Sequence, residues 1–306
     1  MKIMTLNTHS LVEKNYEEKL QQFVRGVLAE MPDVIALQEV NQTIAAPLAD
    51  EALLTGYVPA QTAVPVRADN HVANVAKLLR EAGVPCSWTY LPIKVGYGKY
   101  DEGLAMLVLE RKISHVESFL ISRADDYANW KTRKVLGMQV EGLTDWFYTV
   151  HMGWWEDEQE PFLAQWKVLN AFVTTKPRHA PVWLMGDFNS PAEVRGEGYD
   201  KIAATGWHDT FRYAREHDSG LTVPGVIDGW RGKMADTAAE GMRIDLIWCS
   251  LPEKIAVSRV VFNGEKHPVV SDHFGVMIET VPHGTEPTRQ PESPWGGFDL
   301  DTEDDE

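Results

Sequence analysis

Three segments of this chain share one arrangement: an apolar run that leads into, or carries, an acidic or amide side chain. They are residues 34–39 (VIALQE), 182–189 (VWLMGDFN) and 243–248 (RIDLIW). Runs with so little polar alternation fit strands buried on both faces, which requires sheets covered by other layers. In layered α/β proteins functional groups collect where strand ends open onto loops. If these strands share an edge, Glu39, Asp187, Asn189 and Asp245 make an oxygen-rich site suited to Mg²⁺ or Mn²⁺.

The rest of the chain alternates strand and helix signals. Residues 16–31 place Leu20, Phe23, Val24, Val27, Leu28 and Met31 at helical spacing, and Pro32-Asp33 stops that helix. A second helix is capped by Asp69 or Asn70 and closed by Gly83, with Val72, Val75, Ala76 and Leu79 as its stripe. A third runs over about 161–173. Strands are expected at 2–6, 104–109, 134–140, 146–150, 256–262 and 275–279 besides the three above. No linker or composition break divides residues 1–281, so they read as one α/β domain. Residues 282–306 hold eight acids against Arg289 and read as an acidic, disordered tail.

Taken singly, each polar element has a plain structural explanation. Glu39 suits a solvated loop, Gly186-Asp187-Phe188-Asn189 an Asx-turn closing a strand, and Ser271-Asp272-His273 a capped turn. Their order along the chain, on strand ends, is harder to explain that way. Other chemistries lack their apparatus. There is no GxxxxGK[ST] phosphate loop, no HExxH, and no Cys/His cluster, since the two cysteines, Cys86 and Cys249, stand apart.

The combined pattern resembles the endonuclease/exonuclease/phosphatase superfamily, the group with the DNase-I-like fold. The matching pieces are Thr5-Leu6-Asn7, Gln38-Glu39, Asp101-Glu102-Gly103, His151, Gly186-Asp187-Phe188-Asn189, Arg243-Ile244-Asp245 and Ser271-Asp272-His273. The resemblance implies a four-layer αββα sandwich with its active site at one end. It further implies that Glu39 holds a catalytic Mg²⁺ (Mn²⁺ as a substitute), with Asn7 and Asp272 nearby. Asp187 and Asn189 would hold the attacking water and phosphoryl oxygens. His273 would move a proton, oriented by Asp245, and His151 would donate to a phosphoryl oxygen, oriented by Glu102. His9, two residues past Asn7, would border the site.

Fold does not fix the substrate. The formal net charge of −16 opposes a polyanion, so nucleic acid is not expected as a partner. The chain has 11 tryptophans, several beside the expected catalytic residues: Trp130, Trp154, Trp155, Trp207 and Trp230. They fill a core or make an aromatic rim that stacks on a sugar ring or a base. The stretches YGKYDEGLAML, NWKTR, HMGWWEDEQEPF, RGEGYD and DGW are similar to a bacterial branch described as maltose 6′-phosphate phosphatases. That branch implies a small phosphorylated sugar as substrate, with Lys131, Arg133 and Arg195 on the phosphate and Trp154 and Trp155 on the sugar. A nuclease or phosphodiesterase would use the same catalytic residues. No apolar run is long enough to span a bilayer, and the first residues lack the pattern of a secretory leader. A cytoplasmic protein without membrane contact is expected, and its oligomeric state is not legible.

Overall fold

The computed structural model describes residues 1–225 and 241–281. The acidic stretch 282–306 and Trp230 lie outside the described residues. Among the described residues the strands are β1 (Lys2–Asn7), β2 (Val34–Thr43), β3 (Cys86–Gly96), β4 (Tyr100–Leu109), β5 (Ile113–Leu120), β6 (Lys134–Val140), β7 (Trp146–His151), β8 (Val182–Asp187), β9 (His208–Asp209), β10 (Ala214–His217), β11 (Asp245–Cys249), β12 (Ile255–Val261) and β13 (Gly275–Thr280). The helices are α1 (Tyr16–Glu30), α2 (His71–Glu81), α3 (Phe162–Val173), α4 (Gly198–Ala203) and α5 (Thr210–Tyr213). One sheet has the order β10-β12-β13-β1-β2-β4-β3 and the other β5-β6-β7-β8-β11-β9.

Strand parity explains the four layers. In β1 and β2, Met4, Leu6, Ile35 and Leu37 pack under α1 and α2, against Phe23, Val27 and Val75. Their neighbours Ile3, Val34 and Ala36 point the other way and join Phe147, Trp183, Met185 and Ile247 of the second sheet. The alternate residues of that sheet, among them Tyr148, Leu184 and Trp248, meet α3 and α4 through Trp166, Leu169 and Tyr199. The central strands, such as β1, β2, β4 and β8, thus bury both faces, which is why period-two alternation is weak in their sequence. Truncating a side chain between the sheets, such as Phe147→Ala, costs about 3–5 kcal/mol.

Two local expectations are refined. Asn70, not Asp69, caps α2, accepting from the Ala73 amide at 3.0 Å. The Asp69 carboxylate instead accepts from the Thr43 amide at 3.1 Å, tying the end of β2. Strands β3 and β5 were not marked by the sequence signals, and β3 carries part of the site described next.

Candidate active site

Strand register brings the acids together. In the parallel pair β7–β8, His151 stands opposite Asp187, and in the antiparallel pair β8–β11, Asp187 stands opposite Asp245. In the other sheet, Asn7 ends β1 opposite Gln38. Asn7 links the sheets: its Nδ2 donates to Glu39 Oε1 at 2.9 Å and to Asp187 Oδ2 at 3.2 Å. Beneath it, Gln38 Nε2 donates across the two sheets to Thr149 Oγ1 at 2.8 Å and within its own sheet to Thr5 Oγ1 at 3.1 Å. This closeness favours Gly186, where a Cβ would lie 2.9 Å from Gln38 Nε2 of the other sheet and, at φ +143°, 2.1 Å from the Val150 carbonyl oxygen of the neighbouring strand.

Glu39 is presented by a break in the β2–β4 ladder. Pairing shifts register between Leu37 and Val40, and Glu39 takes φ +49°, uncommon for a residue with a Cβ. Such strain persists only where neighbours over-determine it. Here Ser10 Oγ and Thr8 Oγ1 donate to the Glu39 carbonyl at 2.8 and 3.2 Å.

The two histidines are set to opposite charge states. His273 Nδ1 lies 2.8 Å from Asp245 Oδ2, and both residues are buried. Burial opposes charging of His273, but the charge and hydrogen bond of Asp245 prevail and raise it to about 10. His151 Nε2 faces Asp187 Oδ2 at 3.6 Å and Glu39 Oε1 at 4.0 Å. Burial, with Arg133, Lys94 and His273 close by, holds it well below its ordinary value, so it is neutral. Burial also pushes up Asp187 and Glu39, reinforced by Asp245 for the first and by Glu102 and Asp272 for the second.

Carboxylates crowded and dehydrated in this way gain from a divalent cation, and the donors are hard oxygens. Asp245 Oδ1 is buried with no hydrogen-bond partner among the described residues. Two groups each bring three ligand atoms within 4.8 Å of one another: Asp187 with Asp245 and His273, and His9 with Glu13 and Asp272. The residues therefore fit a divalent metal. His9 borders the site as expected, with Nδ1 2.7 Å from Glu13 and 3.8 Å from Asp272.

Above this floor is a cavity of about 240 Å³ whose wall includes Lys94, Tyr97, Trp130, Arg133 and Trp154. Not every expected residue reaches it. Lys131 Nζ is held by Asp157 at 2.7 Å, and Arg195 is largely exposed and bonded to Asp200 at 2.8 Å. Trp155 turns to the core, its ring 6.1 Å from that of Phe162. Glu102 lines the cavity but binds Lys94 Nζ at 3.0 Å, whereas the carboxylates facing His151 are Asp187 and Glu39. Trp207 is buried against Trp166. Lys94 has no counterpart in the sequence analysis, and Tyr97 enters there only as the first residue of YGKYDEGLAML. Gly96-Tyr97-Gly98, with positive φ at Tyr97 and Gly98, is the hairpin signal that marks this wall.

Solved structures of similar fold share this framework. An endonuclease/exonuclease/phosphatase family protein from Leptotrichia buccalis is 28% identical, with a TM-score of 0.75 over 92% of this chain and 99% of that one. A mannosyl-6-phosphatase from Bacteroides thetaiotaomicron is 15% identical, with a TM-score of 0.61 over 92% and 99%. NExo, a 3′-5′ exonuclease from Neisseria meningitidis, is 19% identical, with a TM-score of 0.57 over the same shares. NExo also appears as a 3′ phosphatase bound to a product DNA hairpin. No curated protein matches the chain.

The DNA-bound relative corrects the expectation that nucleic acid is excluded as a partner. Net charge describes the whole surface, whereas the cavity wall of this acidic chain carries Lys94 and Arg133. Among the described residues no helix is long and apolar enough to cross a membrane. The floor has the equipment of a metal-dependent hydrolase. With residues 4–273 matching the model of the endonuclease/exonuclease/phosphatase family, the chain belongs to that family.

Proposed function

We propose that this chain hydrolyses phosphate esters of nucleic acid with Mg²⁺ or Mn²⁺, and that residues 1–281 are its catalytic domain. The observation that carries the reading is Asn7, whose amide joins Glu39 and Asp187 where His151 lies 3.6 Å from Asp187 and His273 lies 2.8 Å from Asp245. Glu39 would hold the cation, with Asn7 and Asp272 beside it. The ion supplies positive charge to the oxygens that become more negative as the ester breaks. Asp187, pushed up and fixed by the Asn189 amide at 2.8 Å, takes the proton of the attacking water. Asn189 is itself anchored through Nδ2 to the Met152 carbonyl at 2.9 Å. His273 stays charged at neutral pH and donates from Nε2 to a phosphoryl oxygen. His151, neutral, orients a second one.

A second reading keeps the chemistry and changes the substrate to a phosphorylated sugar, maltose 6′-phosphate or a relative. The Trp130 and Trp154 rings, 5.6 Å apart at the cavity rim, favour it, as does the mannosyl-6-phosphatase among the similar structures. The test incubates the protein with DNA carrying 3′-phosphate ends and with maltose 6′-phosphate, in Mg²⁺, Mn²⁺ or EDTA. Strand shortening or phosphate release from DNA, abolished by EDTA, is expected. Turnover undiminished in verified metal-free protein would overturn the reading, and turnover of the sugar phosphate alone would establish the second.

A further inference from the structure

Asp245, the partner of His273, also lines a small cavity of about 10 Å³ that shares no lining residue with the cavity above the floor. Strand parity places two of its walls. Asp245 is two residues from Ile247, which packs between the sheets, so the two side chains share that face. Ser258 of β12 stands opposite Ile278 of β13, another member of the core between the sheets. Its neighbour Arg259 points the other way, to Glu30 at 3.1 Å. Asp245 and Ser258, both 1% exposed, therefore face one another from opposite sheets across this cavity.

The other polar side chains on its lining are engaged. Thr210 Oγ1 donates to the Ile247 carbonyl at 2.7 Å. The Asp209 carboxylate accepts from Arg243 Nη2 at 2.8 Å and from the Phe211 amide at 3.1 Å. That of Asp218 accepts from the amides of Val260 at 2.6 Å and Gly220 at 2.9 Å. Two atoms remain. Asp245 gives Oδ2 to His273 at 2.8 Å, but its Oδ1 is buried with no partner among the described residues, and so is Ser258 Oγ. A buried carboxylate oxygen and a buried hydroxyl each cost stability when left unbonded. A cavity of this volume takes one water when at least two polar groups face it. An oxygen that accepts and a hydroxyl that either gives or takes a proton meet that condition.

We infer that a single buried water bridges Ser258 Oγ to Asp245 Oδ1, and that Ser258 is thereby a positioning residue for the His273–Asp245 pair. The inference rests on the phosphoesterase reading above and adds to it a residue outside the catalytic floor. The water donates one hydrogen to Oδ1 and meets the Ser258 hydroxyl on its other side. The torsion that turns a carboxylate is broad and soft, so one bonded oxygen leaves its plane loosely set. Held at both oxygens, Asp245 keeps Oδ2 on His273 Nδ1, and Nε2 stays aimed at the phosphoryl oxygen that it serves. The bridge also spans the gap that the pair spans, since β11 and β12 belong to different sheets.

The test joins a high-resolution crystal structure of the full chain, grown with Mn²⁺, to kinetics on p-nitrophenyl phosphate and bis(p-nitrophenyl) phosphate. Density for one water within hydrogen-bond reach of Asp245 Oδ1 and Ser258 Oγ is expected. Ser258→Ala removes the hydroxyl, and Ser258→Val also fills the cavity. On whichever ester the wild type hydrolyses, each variant, shown by its melting temperature to be folded, should lose about tenfold in kcat and keep KM within about twofold, the scale of one hydrogen bond to a charged group. Added to Asp245→Asn, Ser258→Val should cost no more than about twofold further, because a residue that acts through Asp245 then has nothing left to position. Manganese bound at Oδ1, or no density between the two residues, overturns the bridge. Unchanged kcat in the folded Ser258 variants overturns the positioning role, and so does an undiminished loss in the Asp245→Asn background. All four results leave the phosphoesterase reading standing. Turnover of neither ester by the wild type removes that reading and the relay to a phosphoryl oxygen, and the density alone then decides the water.

Discussion

The floor and the wall of the cavity are built by opposite means. The floor stands on strand ends, where ladder register places His151, Asp187 and Asp245 side by side. Asp187 and Asp245 are buried, and Asn7 joins Asp187 to the partly buried Glu39. The wall stands on the β3–β4 turn and the loop before β6, and is joined by bonds from side chains to carbonyls. There Tyr97 and Trp130 are each about half exposed, at 52% and 51%. Proton transfer tolerates little displacement, so it belongs on the rigid part. Recognition can reside on loops that change without disturbing the sheets.

The contrast breaks first at His273. His273→Ala and Asp245→Asn should each lower kcat by about 10²–10⁴-fold, the scale of a positioned acid–base group. The melting temperature should fall as well, because each change removes one member of a buried charge pair, so the rates are compared on protein shown to be folded. Rates on a hydrolysed phosphate ester, measured beside thermal melts, check this. A loss under about threefold in both would place the chemistry elsewhere than on the floor.

The same contrast explains what was legible in the sequence. Every floor residue lies in or just beyond an apolar run or in a short polar cluster, because β strands deliver it: Asn7 ending β1, Glu39 in β2, Asp187 ending β8. The core helices were legible too, through the stripe of Leu20, Phe23, Val24 and Val27. The wall was not. Lys94 lies in β3, where the run from Cys86 carries polar residues such as Ser87 and Thr89 that burial nonetheless covers. Its partner Glu102 is eight positions away and meets it only through the hairpin register. Lys131 and Arg133 are two residues apart, yet only Arg133 turns inward, since an Asp157 carboxylate captures Lys131. Local spacing carries no trace of such a capture.

A smaller effect sharpens the wall. Trp130 and Trp154 meet edge to face at the rim, while Trp155 packs inward on Phe162. Trp130→Ala should raise KM by about fivefold or more with little change in kcat, as expected when a stacking contact is lost from ground and transition states alike. Trp155→Ala should lower the melting temperature and leave KM near its original value. Steady-state kinetics and melts on both variants decide. The reverse pattern would move recognition from the rim to the segment that follows His151.

The smallest catalytic effect is expected at Glu30, which tests whether the floor needs support from behind. This buried carboxylate ends α1 and accepts from Arg259 at 3.1 Å, Lys266 at 2.8 Å and His267 at 2.7 Å. The last two lie on the segment that leads to His273. The hydrogen bonds of Arg259, against the cost of burial, hold Glu30 far below the usual carboxylate range. A depressed carboxylate contributes stability above its unfolded pKa of about 4.3, and loses that contribution as pH falls through the folded value. Its cationic partners are partly exposed, so Glu30→Gln should cost on the order of 1–2 kcal/mol near neutral pH. The gap from wild type should narrow steadily as melts are taken from pH 5 toward pH 2. Turnover should fall less than about threefold, because local bonds already fix the catalytic segment. Ser271 Oγ donates to the Asn7 carbonyl at 2.7 Å, and His273 is held by Asp245. A tenfold loss of kcat in a folded Glu30→Gln protein would mean that the floor is positioned from α1 as well as by its own strand ends.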